Sequence, residues 1–427
     1  MKNIQTLTTE ITGGALDERL LDIYQTEQRV SREKKRLAAA IAEFASLFPE
    51  DEEIEIYSAP GRTEIGGNHT DHQRGHVLAA SISDDAIAVV APSAQNEIRL
   101  LSKGYDMITL LLDDLSKDKV ADGSTEALIA GVAAGLQQRG YHIGGFHAYV
   151  TSDVLSGSGL SSSAAFETII GNIFSGLYND DKVSAVEIAQ IGQYAENEYF
   201  GKPCGLMDQM ACSVGSLCHI DFADPASPRV ERLEFDLRKA GYNLFITDTK
   251  GSHADLTPEY AAIPAEMGSV AALFGKEVLS QVDEDAVIEK VSEIREKCGD
   301  RAFLRALHYY EENKRVLELV SAIKENDIPA FLKAIRDCGH SSFEFLQNVY
   351  PSSDVRHQNV SVALLFSEKM LKNEGACRVH GGGFAGTMLA FVKDEQADEY
   401  TQMMEHVFGE GSCHKLAIRK YGGIRIA

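Results

Sequence analysis

The feature that most constrains this fold is a glycine- and serine-rich loop set directly between a strand pattern and a helix pattern. The segment FHAYVTSDV is typical of a strand, and SGSGLSSSAAFE, residues 156–167, follows it and opens a helix. Glycines let the backbone approach a ligand, and the helix end offers unpaired N–H groups. The loop therefore predicts an anion site suited to phosphates. The alternative, a flexible connector, is disfavoured because the flanking patterns leave no linker length.

Strand and helix patterns are mixed along the chain, in an order that predicts an α+β fold. Residues 17–48 are typical of one helix, and EEIEIYSAPGR of a strand ending at Pro60-Gly61. HVLAAS, DDAIAVVAPS and NEIRLLS resemble three short strands, and residues 283–346 are mainly helical in pattern. With 427 residues, two domains are expected. We place them at residues 1–225 and 226–427, with the boundary near DFADPASPR.

Composition disfavours several kinds of partner and structural site. The net charge of −23 disfavours nucleic acid as a partner. No apolar run resembles a membrane span, and MKNIQTLTTEITGG lacks the features of a signal peptide, so we expect a cytoplasmic protein without a membrane partner. Seven cysteines without a CxxC pair argue against a disulfide framework and a zinc knuckle. The oligomeric state is left open.

Two further segments carry polar groups that need an explanation. In GKPCGLMDQMACSVG, Asp208 stands in an apolar run, where a carboxylate is either a catalytic group or a buried structural cap. In GRTEIGGNHTDHQRG, from Gly61, polar side chains crowd among glycines. This loop has three interpretations: a metal site of His69, Asp71 and His72, a polar turn, or a sugar site in which amide, imidazole and carboxylate groups hold hydroxyls.

Together, the order and content of these segments resemble the GHMP small-molecule kinases, and among them the galactokinases. The opening loop resembles the galactokinase signature G-R-x-N-[LI]-I-G-E-H-x-D-Y, and SGSGLSSSAA resembles the family's phosphate loop. CGLMDQ resembles the galactokinase segment CGIMDQ, and RVHGGGFAG resembles the third family motif. The resemblance extends from about residue 58 to the C-terminus.

The resemblance implies a two-domain fold with the active site in the interdomain cleft. It implies transfer of the ATP γ-phosphoryl group to the anomeric hydroxyl of galactose, with Mg²⁺. Carried over by position, Asp208 is the catalytic carboxylate and Arg62 its partner. The implied sugar contacts are Asn68, His69, Asp71, Gly205 and Tyr260. The implied ATP-binding residues are Gly157, Ser158, Gly159, Leu160, Ser161, Ser162 and Ser163. The implied magnesium ligands are Ser163 and Glu196.

The chain departs from the signature at four positions: Glu64 stands in place of Asn, Gly66 of Ile, Asn68 of Glu and His72 of Tyr. The family's arginines after the Tyr260 position are replaced by AAIP, and the chain has no tryptophan to stack on adenine. In the family, the Glu at position 68 accepts hydrogen bonds from sugar hydroxyls. Because Asn is neutral, we expect a broader sugar range here.

Two alternatives to a galactokinase remain at this point. One is a kinase for a galactose-like sugar, such as N-acetylgalactosamine, galacturonate or arabinose. The other is a non-catalytic sugar sensor, against which the retained Arg62, Ser163 and Asp208 argue.

Overall fold

The computed structural model describes residues 1–155, 159–202, 204–251 and 256–427. Runs of strands and runs of helices follow one another along the chain, and both are numbered here in chain order. The strands are β1 (Lys2–Asn3), β2 (Glu53–Gly66), β3 (His76–Pro92), β4 (Glu97–Ser102), β5 (Met107–Leu111), β6 (Phe146–Ser152), β7 (Leu217–Asp221), β8 (Arg229–Leu233), β9 (Tyr242–Asp248), β10 (Ala376–Val379), β11 (Thr387–Lys393), β12 (Cys413–Leu416) and β13 (Ile424–Arg425).

Within the described residues, six α-helices begin at a residue whose side chain caps the helix, as Thr26 does for the third helix. They are α1 (Ile4–Gly13), α2 (Asp17–Tyr24), α3 (Glu27–Leu47), α4 (Thr125–Gln138), α5 (Ser162–Asn179), α6 (Ala185–Tyr194), α7 (Met207–Val214), α8 (Thr257–Ala272), α9 (Glu284–Glu289), α10 (Val291–Lys297), α11 (Asp300–Glu325), α12 (Ile328–Ser341), α13 (Asn359–Leu371) and α14 (Ala397–Phe408). Short π-helical segments continue α6 and α12, at Ala195–Phe200 and Ser342–Leu346.

Within the residues that the structure describes, the first sheet has nine strands, and helices cover both of its faces. Alternate residues of β3 face opposite layers, as the strand period of two requires. Ala86, Ala88 and Val90 pack toward α4, α5 and α6, whereas Ile87 and Val89 pack under α1–α3. A mixed sheet buried on both faces fits the predicted α+β class.

The second sheet has the antiparallel order β10-β11-β9-β12. On one face Leu389 and Phe391 pack against α11 and α12, and on the other face Met388 and Ala390 pack against α13 and α14. The expected domain boundary near residue 225 stays a prediction. Sheet membership does not follow a single cut there, because β8 and β13 both join the first sheet.

Three local predictions differ from the structure. The N-terminal helix is broken at Gln25, which has a left-handed φ of 67° and separates α2 from α3. Strand β2 does not stop at Pro60 but continues to Gly66 through a register irregularity next to the proline. HVLAAS and DDAIAVVAPS form one 17-residue strand, β3, and not two.

Strand β3 continues through its two aspartates because Asp85 is paired inside the protein. Asp85 is fully buried, and it accepts hydrogen bonds from Arg36 at 2.6 Å, Arg419 at 2.8 Å and Tyr24 at 2.8 Å. Burial alone would raise the pKa of Asp85, but the two guanidinium charges outweigh it and lower the pKa. The carboxylate therefore joins the N-terminal helices, the sheet and the C-terminal segment.

Within the described residues, every helix is too short or too polar to cross a lipid bilayer.

Candidate active site

An ion pair between Arg62 on β2 and Asp208 on α7 lies beside the N-terminus of α5. Arg62 Nε donates to Asp208 Oδ1 and Arg62 Nη2 donates to Asp208 Oδ2, both at 2.7 Å, so the ion pair is bidentate. The remaining guanidinium nitrogen donates to the Gly159 carbonyl, and the Ser161 hydroxyl donates to Asp208. Arg62 is 6% exposed, whereas the Asp208 side chain is 31% exposed. The carboxylate is thus fixed on its protein side and accessible on the other.

Burial alone would lower the pKa of Arg62, but the Asp208 charge more than compensates and raises it. Asp208 is the first-turn acidic residue of α7, where the positive end of the helix dipole favours a carboxylate. The structure therefore brings together Arg62 and Asp208, the two side chains that the sequence predicts to act together.

The predicted phosphate loop leads into α5, although Gly157 and Ser158 lie outside the described residues. Gly159 has a positive φ of 73°, and Ser161, the residue before the helix, has a φ of 59°. Leu160 is buried and its carbonyl accepts from the Arg62 amide at 3.0 Å, which fixes the loop against β2. Ser162 and Ser163 form the first turn of α5, where backbone N–H groups point outward. This arrangement is suited to an anion.

Ser163 faces the carboxylate predicted to share a metal with it. Its hydroxyl donates to Glu196 Oε1 at 3.3 Å, and Lys202 Nζ lies 2.9 Å from the same oxygen. Burial alone would lower the pKa of Lys202, but the Glu196 charge raises it overall. The Glu196 side chain is 3% exposed, so this oxygen is held in place.

Behind Glu196 lies a second buried carboxyl group that sequence reasoning missed. Gln209 Nε2 donates to Glu196 Oε2 at 2.8 Å and to Glu167 Oε2 at 3.0 Å. Burial raises the pKa of Glu167 well above its ordinary range, and the Glu196 charge adds to the rise. Gln209 thus orients Glu196, and its position next to Asp208 in the motif was the available signal.

In the predicted sugar loop, residues 61–75, His69 lies against the glycine turn at residues 381–383, and Tyr260 on α8 contacts the same turn. His69 Nε2 lies 3.1 Å from the Gly382 carbonyl, and burial, with the neighbouring His72, lowers the pKa of His69 to about 4. The imidazole is therefore neutral at pH 7. The Tyr260 hydroxyl donates to the Gly383 carbonyl at 2.9 Å.

Gly205 and Asp71 lie in direct contact. A Cβ atom on Gly205 would stand 2.4 Å from Asp71 Oδ2, so a side chain at position 205 would displace this carboxylate. The glycine of the CGLMDQ motif is required here by the close approach of the sugar loop.

The metal interpretation of this loop receives no support. His72 Nε2 lies 3.8 Å from Asp71 Oδ1, and the His69 and His72 rings stack with centroids 5.8 Å apart. In the part of the chain that the structure describes, the group of three His, Cys, Asp or Glu side chains whose ligand atoms converge is Glu50, Asp51 and His147, which lies outside this loop.

Asn68, which is predicted to contact sugar, makes its hydrogen bonds within the protein in this structure. It is 1% exposed, and its amide nitrogen donates to Gly381 O at 2.7 Å and to Glu64 Oε1 at 3.0 Å. Its oxygen accepts from Asn348 Nδ2 at 2.7 Å. Both ends of the amide are therefore used by protein groups, and the side chain presents no free polar group to a ligand in this structure.

Helix α11 holds the backbone of the same loop. Glu312 Oε1 accepts from the Gly67 amide at 3.1 Å, and His308 Nε2 lies 3.0 Å from the Asn68 carbonyl. Both side chains are fully buried. The sequence gives no local sign of these contacts, because α11 lies more than 200 residues away.

A cleft of about 870 Å³ opens at the start of α5. Ser162 and Ser163 line it together with Tyr105, Leu128 and Phe166. Its combination of a helix N-terminus with apolar and aromatic walls suits a ligand that has an anionic end and a flat apolar part.

Comparison with known proteins identifies the family of this chain. The model of the GHMP kinases N terminal domain matches residues 127–216, and that of the galactokinase galactose-binding signature matches residues 42–92. The chain is 30% identical to the galactokinase of Streptomyces coelicolor over 360 residues, which are 83% of this chain and 88% of that protein. It is also 30% identical to the galactokinase of Lactobacillus helveticus, over 83% of this chain and 89% of that protein.

The fold agrees as well. The crystal structure of Lactococcus lactis galactokinase complexed with galactose superposes with a TM-score of 0.77 at 21% identity, covering 90% of this chain and 98% of that one. A mevalonate kinase crystal structure superposes with a TM-score of 0.60 at 13% identity, covering 86% of this chain and 99% of that one. With these matches along most of its length, the chain belongs to the galactokinase family of the GHMP kinases.

Proposed function

We propose that this protein is an ATP-dependent galactokinase, which transfers the γ-phosphoryl group of ATP to the anomeric hydroxyl of galactose. The observation that carries the proposal is the bidentate Arg62–Asp208 ion pair beside the N-terminus of α5. It places a fixed carboxylate and a cation next to a helix end suited to phosphates. The similarity to galactokinases at 30% identity supports this activity.

In this proposal Asp208 accepts or orients the proton of the sugar hydroxyl on its exposed side. Arg62 holds the Asp208 carboxylate in place through two hydrogen bonds and stabilises the charge on the moving phosphoryl group. Phosphoryl transfer depends mostly on positioning and electrostatics. The support is that the pair is rigid, because Gly159 and Ser161 also hold it.

We assign the ATP phosphates to the phosphate loop and the first turn of α5, including Ser161, Ser162 and Ser163. The adenine belongs in the adjoining cleft, whose lining includes Tyr105, Leu128 and Phe166. These two aromatic rings supply the flat apolar faces that the missing tryptophan cannot.

A magnesium ion fits Ser163 and Glu196. A hydroxyl and a carboxylate are the hard oxygen ligands that Mg²⁺ takes in nucleotide sites. The Lys202 ammonium on Glu196 Oε1 supports the fit, since that oxygen already attracts a cation and the Lys202 side chain is 62% exposed and able to leave. When bound, the ion would neutralise phosphate charge.

For the sugar we retain His69, Asp71, Gly205 and Tyr260 as proposed contacts. Asn68 is left out because its amide is already used within the protein. We also keep the two-domain division near residue 225 and a cytoplasmic location as proposals.

A sugar panel tests the function. Purified protein with Mg²⁺-ATP is mixed with galactose, N-acetylgalactosamine, galacturonate, arabinose and glucose, and ADP release is followed with product identification by ³¹P NMR. We expect galactose 1-phosphate as the main product. ATP consumption that no sugar stimulates, together with galactose binding by calorimetry, would instead indicate a sensor.

A further inference from the structure

The carboxylate of Glu64 lies at the junction of the two halves of the molecule. Glu64 stands two residues after Arg62 on β2 and is 3% exposed. Its Oε1 accepts from Arg378 Nη2 at 2.7 Å, and Arg378, on β10, is fully buried. Arg378 also donates to the Ile65 carbonyl at 2.9 Å. This ion pair therefore fixes the strand that carries Arg62 to the strand that enters the glycine turn.

Asn68 connects to the same carboxylate. Its amide nitrogen donates to Glu64 Oε1 at 3.0 Å and to the Gly381 carbonyl at 2.7 Å. Gly381 precedes Gly382 and Gly383, which contact His69 and Tyr260. Glu64 is thus two residues from Arg62 on the same strand, and Asn68 hydrogen-bonds the glycine turn that contacts the proposed sugar residues.

The galactokinase signature has Asn where this chain has Glu64 and Glu where it has Asn68. Relative to the signature, the amide and the carboxylate at positions 64 and 68 are therefore exchanged. Both arrangements contain one negative charge and one amide. Because the two side chains are in direct contact here, each substitution alone would leave either two carboxylates together or none beside Arg378.

We propose that Glu64 and Asn68 form an exchanged amide–carboxylate pair, and that Glu64 is a positioning residue that holds Arg62 and the glycine turn in register for transfer to the sugar. This rests on the proposed function. It replaces the expectation that Asn68 broadens the sugar range, since the loop's carboxylate is displaced by four residues and not lost.

The test is a double-mutant cycle with Glu64→Asn, Asn68→Glu and the double exchange, with Glu64→Gln as a conservative variant that keeps the shape without the charge. Glu55→Gln is the matched control, because Glu55 is a buried, ion-paired carboxylate on the same strand, remote from the site. Both kcat/KM for galactose and the urea midpoint of unfolding are measured for each protein.

We expect each single exchange and Glu64→Gln to lower kcat/KM for galactose by about tenfold or more, mainly through kcat and with KM for ATP unchanged. The double exchange should recover to within about threefold of the parent in kcat/KM and also recover the urea midpoint. Glu55→Gln should change kcat/KM little.

Additive effects, with no recovery in either measurement, would overturn the pairing. Recovery of the urea midpoint without recovery of kcat would show a purely structural pair and overturn the positioning role. If the parent turned over no sugar, the proposed function would fail, whereas the unfolding cycle would still report whether the two residues are coupled.

Discussion

Asp208→Asn should remove most of the turnover while leaving ATP binding almost unchanged. The carboxylate makes two 2.7 Å hydrogen bonds to Arg62 and accepts a third from Ser161. An asparagine keeps one accepting oxygen but turns an NH₂ group toward a donor of Arg62. It also loses the negative charge and the basicity that a proton acceptor needs.

The magnitude follows from these contacts. Loss of a positioned general base costs about a hundredfold or more in rate. Loss of the ion pair also leaves Arg62 buried beside a neutral group, although Gly159 still accepts one hydrogen bond from it. Because Asp208 is 31% exposed, we expect about 1–3 kcal/mol of lost stability, below the cost of breaking a fully buried pair.

The assay measures kcat by coupled ADP release at 20 °C, ATP affinity by calorimetry and stability by urea unfolding. Asp221→Asn is the matched control, since Asp221 is a partly exposed aspartate on β7 outside the proposed site. A rate for Asp208→Asn within about threefold of the parent would refute the catalytic assignment, because no general base costs so little.

Three further outcomes follow from the structure. Ser163→Ala and Glu196→Ala should raise the Mg²⁺ concentration for half-maximal rate more than KM for galactose; equal effects on both constants would contradict the metal assignment. The free energy of unfolding should fall as the pH drops below about 6.5, because burial lowers the pKa of His308 and of His380 in the folded state while the unfolded chain takes up protons near the ordinary value; urea unfolding at pH 7.5 and 5.5 measures this, and an unchanged drop in His308→Asn would exclude His308 as a source. Gly66→Ile, which restores the family residue, should cost about 1–3 kcal/mol because a Cβ there would lie 2.6 Å from Leu319 Cδ1; Leu319→Ala should recover part of that cost in urea unfolding, and a stable Gly66→Ile single variant would show that the loop adapts.

Local sequence patterns were enough to predict several residues of the candidate site. The strand–loop–helix pattern placed Ser162 and Ser163 at a helix start, and the motifs paired Arg62 with Asp208. These inferences need only short segments, whose periodicity and capping are visible in a local window.

The hydrogen-bond partners of the Asn68 side chain could not be predicted in this way. Its partners Asn348 and Gly381 lie about 280 and 313 residues further along the chain, and only the folded structure brings them together. The same holds for Arg378 on Glu64. The departures from the family signature at Glu64 and Asn68 could therefore be interpreted only once the residues that contact them were known.

The pairing of Asp85 limits how the chain can be shortened. A version that starts after α3 would lose Tyr24 and Arg36 together. Among the described residues, Arg419 would then be the one charged partner left to the buried carboxylate of Asp85. It would also uncover the apolar face that Ile87 and Val89 present to α1–α3. The N-terminal helices are thus part of the same cooperative unit as β3, and amide hydrogen exchange in α3 should be as slow as in β3.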